Sequence, residues 1–179
     1  LVVGRLADKK GIDVAIRAVA AVPGTKLRVI GDGPERDGLA KLARSQGVSE
    51  RVEFVGRLPR GEVLAAMSEC GCLLIPSRIG SGGDQEGTPV VLAEAMSVGA
   101  PVIASRIAGL GEFVADGVNG LLVSPDDVNE LAQAMDRILS NPELGRDLGQ
   151  AAWQQFSGGP LDAASTAAAY RELLEEVVV

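Results

Sequence analysis

The sequence predicts a doubly wound, Rossmann-like α/β domain built on a parallel sheet of about six strands. Two observations carry that expectation. Short runs rich in Val, Ile and Leu alternate with longer amphipathic runs along most of the chain. The short runs are mostly apolar and β-branched, as strands are when both faces of a sheet are covered. Right-handed crossovers then put helices on both faces and ligands at the carboxyl ends of the strands.

The elements follow in order. "LVVG" reads as a strand, and "GIDVAIRAVAAV" as a helix with Ile12, Ile16 and Val19 on one face. "TKLRVIGDG" is a strand running into a glycine turn. "ERDGLAKLARSQG" is a helix closed by Gly47, in the position after the helix end that favours glycine. "RVEFVG" is the next strand and "PRGEVLAAMSEC" the next helix. "CLLIPS" is an apolar strand ending at a proline, followed by a loop with four glycines, "SRIGSGGDQEG". "TPVVLAEAMSVG" is a helix, "APVIAS" a strand, "EFVADG" a short helix or turn, and "NGLLVSP" a last strand. "DDVNELAQAMDRILSN" is an amphipathic helix with Asp126 or Ser124 as its cap. "PELGRDLGQAAWQQF" and "LDAASTAAAYRELLEEVVV" are further helices, with "SGGP" at 157–160 as a hinge between them.

Composition narrows the function. The 179 residues are 46% apolar and 23% charged, in the range of a globular domain. A net charge of −7 and an aromatic content of 3% argue against nucleic-acid binding. There is no histidine, which removes histidine triads and most zinc sites from this chain. Cys70 and Cys72 are too close for a redox pair and read as reduced strand residues. No run of about 18 apolar residues offers a membrane span. "LVVGRLADKK" has the reverse of a secretory signal's order, so a cytoplasmic chain is expected. Beginning without Met inside an apparent strand, the chain reads as part of a longer protein.

Three groups of residues offer chemistry. Thr88 is a good N-cap and Pro89 a good first helical residue, so a helix start lies directly behind the glycine-rich loop. Its first free amides, on Val90 and Val91, suit an anion. Glu94 stands in a helix that reads as apolar on nearly every side and therefore buried. A buried carboxylate needs a partner or an opening to a cleft. Arg5 and Lys10 follow the first strand's exit and offer a fork and a point charge for phosphate oxygens. A surface pairing with Asp8 or Asp13 competes with that reading, and Lys9 reads as solvated. No metal is expected. Asp-x-Asp does not occur, and Asp126–Asp127 is accounted for by a helix start. "GDGPER" follows the second strand and has Arg36 where a dinucleotide fingerprint needs glycine.

Taken together, "VGRLADKKGIDVAIRAV", "LRVIGDGPERDGLAKLA", "RVEFVGRL" and "LLIPSRIGSGGDQEGTPVVLAEAMSVGAPVIAS" resemble the C-terminal half of family 4, "group 1", retaining glycosyltransferases. The seven residues between Glu86 and Glu94 match that family's spacing. The form "GDQEGTPVVLAEAM" looks most like transferases that build bacterial exopolysaccharide. The resemblance implies a GT-B architecture, two Rossmann-like domains facing across a cleft. Residues 1–156 would be the donor-binding domain, and 160–179 a helix packing on the absent N-terminal domain.

The resemblance also implies roles. Glu94 would hold the donor's ribose hydroxyls, and Glu86 would face the donor sugar. Gly87, Thr88, Pro89, Val90 and Val91 would hold the diphosphate. Arg5 and Lys10 would neutralise charge on the leaving group, and Phe54 and Val55 would place the base through backbone contacts. The donor would be a UDP-, GDP- or ADP-sugar, with no further cofactor. The acceptor, a glycan, lipid or small molecule, would come through the N-terminal domain. In the complete protein the inner face of the membrane is an alternative location. Thr88-Pro89 stands where many relatives have an aromatic residue and glycine, and Ala108-Gly109-Leu110-Gly111-Glu112 lacks the proline common in that loop. Competing readings are a sugar-nucleotide 2-epimerase, whose catalytic groups should include histidine, and a nucleotide-binding domain without activity of its own. A dinucleotide oxidoreductase fits least.

Overall fold

The computed structural model describes residues 1–79, 90–107 and 109–157. Strand and helix alternate as the apolar pattern predicts. β1 (Val2–Val3) leads through a 3-10 turn at Asp8–Lys10 into α1 (Ile12–Ala21). β2 (Leu27–Ile30), α2 (Arg36–Ser45), β3 (Val52–Gly56) and α3 (Arg60–Glu69) follow. Then come β4 (Leu73–Ile75), α4 (Val90–Ser97), β5 (Val102–Ser105) and β6 (Leu121–Val123). α5 (Val128–Leu139) and α6 (Pro142–Phe156) close the described chain.

Two parallel three-stranded ladders, β1–β2–β3 and β4–β5–β6, are joined edge to edge. The Leu74 amide donates to the Leu1 carbonyl at 2.8 Å. The Leu1 nitrogen donates to the Cys72 carbonyl at 2.9 Å. The spatial order is therefore 3-2-1-4-5-6, that of doubly wound nucleotide-binding sheets. The direction of winding reverses between β1 and β4, and a crevice opens there beyond their carboxyl ends.

Unbroken apolar strands fill two cores at once. In β4, Leu74 faces one core, with Ile16 and Leu131, while Leu73 and Ile75 face the other, with Leu92 and Met96. β5 alternates the same way, with Ile103 on the first side and Val102 and Ala104 on the second. α1, α2 and α5 cover the first face, and α3 and α4 cover the second.

The helix ends separate correct expectations from one error. Gly47 lies in the left-handed region at φ +68°, as a helix-ending glycine should. The cap of α5 is Asp127, not Asp126 or Ser124. Its carboxylate accepts from the Glu130 amide at 2.8 Å, and Glu130 reaches back to the Ser124 amide at 2.6 Å. The stretch at 112–117, expected as a short helix or turn, forms turns and an isolated bridge. Buried Asn119 holds it by accepting from the Ala115 amide and donating to the Phe113 carbonyl. The helix expected at 160–179 lies outside the described residues.

Candidate functional site

The crevice beyond β1 and β4 gathers residues that are far apart in sequence. Lys10 ends the 3-10 turn after β1, and its stem runs over Gly4. A Cβ on Gly4 would stand 3.5 Å from Lys10 Cε and 3.8 Å from Nζ. The ammonium thus sits at the carboxyl end of β1. Arg5, the next residue after Gly4, is exposed.

The turn carrying Lys10 is packed hard against the exit of β4. Gly11 adopts φ +59°, and a Cβ there would stand 1.9 Å from the Pro76 carbonyl oxygen. Only glycine meets both demands. The glycines of "GDGPER" act similarly. A Cβ on Gly33 would stand 2.3 Å from the Leu6 carbonyl oxygen, so this turn lets two loops cross.

α4 corrects one expectation. It is not buried all round: Leu92, Ala95 and Met96 are buried, while Val90 is 72% exposed. The helix covers the sheet with one side and turns its start toward the crevice. Glu94 lies one turn below Val90, on the same side and about 6 Å further along the axis. Its side chain is 17% exposed, and its Oε1 accepts from Arg60 Nε at 3.1 Å. Arg60 opens α3, just past the end of β3, and is 78% exposed. Glu94 is therefore neither an orphan in the core nor fully solvated. It is a recessed carboxylate held by one loosely anchored cation.

Phe54 and Val55 lie in β3, half-buried, with their side chains packed on the two opposite cores. The backbone beside them carries the parallel ladder to β2. Val91 is half-buried against the second core. Glu86, Gly87, Thr88 and Pro89 lie outside the described residues. In the loop after β5, Leu110 is fully buried, and the Leu110 and Gly111 amides both donate to the Ile107 carbonyl. A buried leucine thus anchors the loop that lacks proline, and Glu112 is exposed.

Arg78 is the residue that sequence reasoning missed. Its side chain is 18% exposed and meets three carboxylates: Asp8 at 3.3 Å, Asp126 at 3.0 Å and Asp13. The Asp126 contact to Nε is an ion pair off the N–H axis, not a hydrogen bond. Asp8 and Asp13, proposed from sequence as pairing with Arg5 or Lys10, are thus engaged by Arg78. Lys9 is half-buried rather than solvated, and its carbonyl accepts from the Arg78 amide at 2.9 Å. The signal was faint, because arginine after a strand is common on surfaces and its partners come from distant loops.

Among the described residues, no cluster of His, Cys, Asp or Glu could hold a metal ion. No helix among them is long and apolar enough to cross a membrane. Cys70 and Cys72 are free thiols at the opposite end of β4, and burial pushes Cys72 up to about 11. A cavity of about 270 Å³ beside them, lined by Leu27, Cys70 and Met135, is also at that far end and has no part in the crevice.

An open parallel sheet in the order 3-2-1-4-5-6, with Lys10 at its switch point, is the fold of a nucleotide-binding class. Residues 1–155 match the model of the family "Glycosyl transferases group 1", and the chain belongs to that family. Its fold is the C-terminal half of a GT-B architecture. One relative, the GDP-mannose-dependent α-(1-6)-phosphatidylinositol monomannoside mannosyltransferase of Mycolicibacterium smegmatis, is 36% identical over 152 residues. That match covers 82% of this chain and 40% of the relative. A putative colanic acid biosynthesis glycosyltransferase of Escherichia coli is 37% identical over 137 residues, covering 74% of this chain and 34% of its own. The crystal structure of Anabaena HepE in complex with UDP superposes with a TM-score of 0.87 at 27% identity. It covers 98% of this chain and 48% of HepE, so the chain spans half or less of these relatives.

Proposed function

We propose that this chain is the donor-binding half of a retaining glycosyltransferase that moves a hexosyl group from a nucleoside-diphosphate sugar to a glycan, lipid or small-molecule acceptor. The observation that carries this reading is Glu94, recessed at 17% exposure beside the open start of α4. A carboxylate so placed accepts two ribose hydroxyls, while amides of the helix start, with Gly87, Thr88, Pro89, Val90 and Val91, bind diphosphate. Glu86 faces the donor sugar. The β3 backbone at Phe54 and Val55 borders the base.

When the bond from the sugar to the diphosphate breaks, its electron pair stays on the departing oxygen. Arg5 and Lys10 and the helix start stabilise that charge without a metal. Losing one such group costs roughly 10²–10³ in rate. HepE, in its UDP complex, and the GDP-mannose-dependent relative support UDP and GDP as donor nucleotides; ADP is the third to be tried. The relative named for colanic acid supports exopolysaccharide synthesis as the setting. The acceptor binds the N-terminal domain, on which residues 160–179 pack, so this chain alone binds donor without transferring it. The complete enzyme works in the cytoplasm, at the inner face of the membrane where the acceptor is a lipid.

Calorimetry of the 179-residue chain with UDP, GDP and ADP tests the reading. Binding of at least one at millimolar concentration or tighter is expected, and no heat with any of the three would overturn it.

A further inference from the structure

We infer that Arg78 is a positioning residue that sets Lys10 at the phosphate end of the crevice; this rests on the donor-site reading. Arg78 leaves the end of β4, yet its partners belong to three other segments. Asp8 is in the turn after β1, Asp13 in the first turn of α1, and Asp126 in the turn between β6 and α5. Its own amide also donates to the Lys9 carbonyl at 2.9 Å. Backbone and side chain therefore both grip the turn that ends in Lys10. Gly11, pressed on the Pro76 carbonyl, closes the same contact one residue further on.

The chemistry requires arginine. Three carboxylates approaching from different directions need a donor with several N–H groups in a fixed fork, and lysine offers only a point charge. The burial makes the clamp consequential. With the recessed guanidinium removed, Asp8, Asp13 and Asp126 lose the cation they share. The junction opens, and the 3-10 turn carries Lys10 away from Gly4. Asp126 adds an independent sign of constraint: among the described residues it is the one non-glycine residue with positive φ, at +62°. Such a conformation persists where surrounding structure holds it, and its carboxylate lies 3.0 Å from Arg78 Nε.

The test is a double-mutant cycle read by calorimetry with UDP and GDP on the 179-residue chain. Lys10→Ala and Arg78→Ala should each weaken binding about tenfold, and the double variant should bind no worse than either single one. Arg78→Lys should fail to restore binding. Thermal melts verify folding, and Asp126→Asn, a milder break of the same junction, replaces Arg78→Ala in the cycle if that variant does not fold. Additive losses, or an Arg78 variant that binds as well as the parent, would overturn the positioning role while leaving the donor site standing. A parent chain that binds neither nucleotide removes the donor site and this role with it.

Discussion

Replacing Glu94 with alanine separates a ribose-binding carboxylate from a structural one. The structural loss is small. The Glu94–Arg60 pair has one partner 78% exposed and a single 3.1 Å contact. Pairs of that kind contribute about 0–1 kcal/mol after screening. Alanine is also a better helix former than glutamate, which offsets part of that. The melting temperature should move by no more than about 2–4 °C, the shift that about 1 kcal/mol gives in a chain of this size. The binding loss is large by comparison. Two hydrogen bonds to an ionised carboxylate contribute about 1.5–3 kcal/mol each, so losing both weakens nucleoside-diphosphate binding by at least about 100-fold. Calorimetry with UDP and GDP, paired with thermal melts, reads both numbers. A melting point lowered well beyond that range, with unchanged affinity in the folded remainder, would refute the ribose role. Arg60→Ala provides the opposite arm. It removes the cation that holds Glu94, leaves the carboxylate in place, and should not reproduce the 100-fold loss.

Arg5→Ala should weaken nucleotide binding more at low salt than at high salt, because an exposed phosphate contact is screened; equal losses at both would argue against the contact. Gly11→Ala puts a Cβ 1.9 Å from the Pro76 carbonyl in a left-handed backbone, so it should destabilise by at least about 1–3 kcal/mol in a chemical denaturation titration. Cys72 is pushed up from 9.0 to about 11 by burial. Its thiol stays protonated in the folded chain after the unfolded chain has ionised. Stability should therefore fall as pH rises from about 9 to 11, by on the order of 2–3 kcal/mol from this group. Cys72→Ser, followed by denaturation at pH 8 and pH 10.5, should flatten that slope.

The fold was legible because its signal is local. Val, Ile and Leu in unbroken runs announce strands buried on both faces, and Leu73, Leu74 and Ile75 point alternately into the two cores. The exposure of Val90 was not legible. A list of apolar residues in a helix does not say which side meets the sheet, and the start of α4 lies over a crevice set by the order of strands. The cap of α5 was missed by one residue for a local reason. Ser124, Asp126 and Asp127 all have suitable side chains, and the left-handed backbone of Asp126 moves the capping role to Asp127. Glu94 stood out in sequence because charge is costly in an apolar helix. Its partner Arg60 did not, since the two meet only where α3 and α4 lie side by side on one face.

The same limit explains Arg78 and gives the site its logic. In the order 3-2-1-4-5-6, the first strand of the chain lies beside the fourth, so loops about 65 to 70 residues apart become neighbours. A cation and its leaving group must be held to within about 1 Å for full effect. Lys10 sits in one of those loops and cannot hold that position through its own short turn. The neighbouring loop supplies the restraint: Pro76 presses on Gly11, the Arg78 amide holds Lys9, and the Arg78 side chain ties Asp8, Asp13 and Asp126 into one junction. The acidic residues nearest Lys10 therefore serve a purpose that their sequence position conceals. Gathered on Arg78, they tie the lysine's turn to the exit of β4.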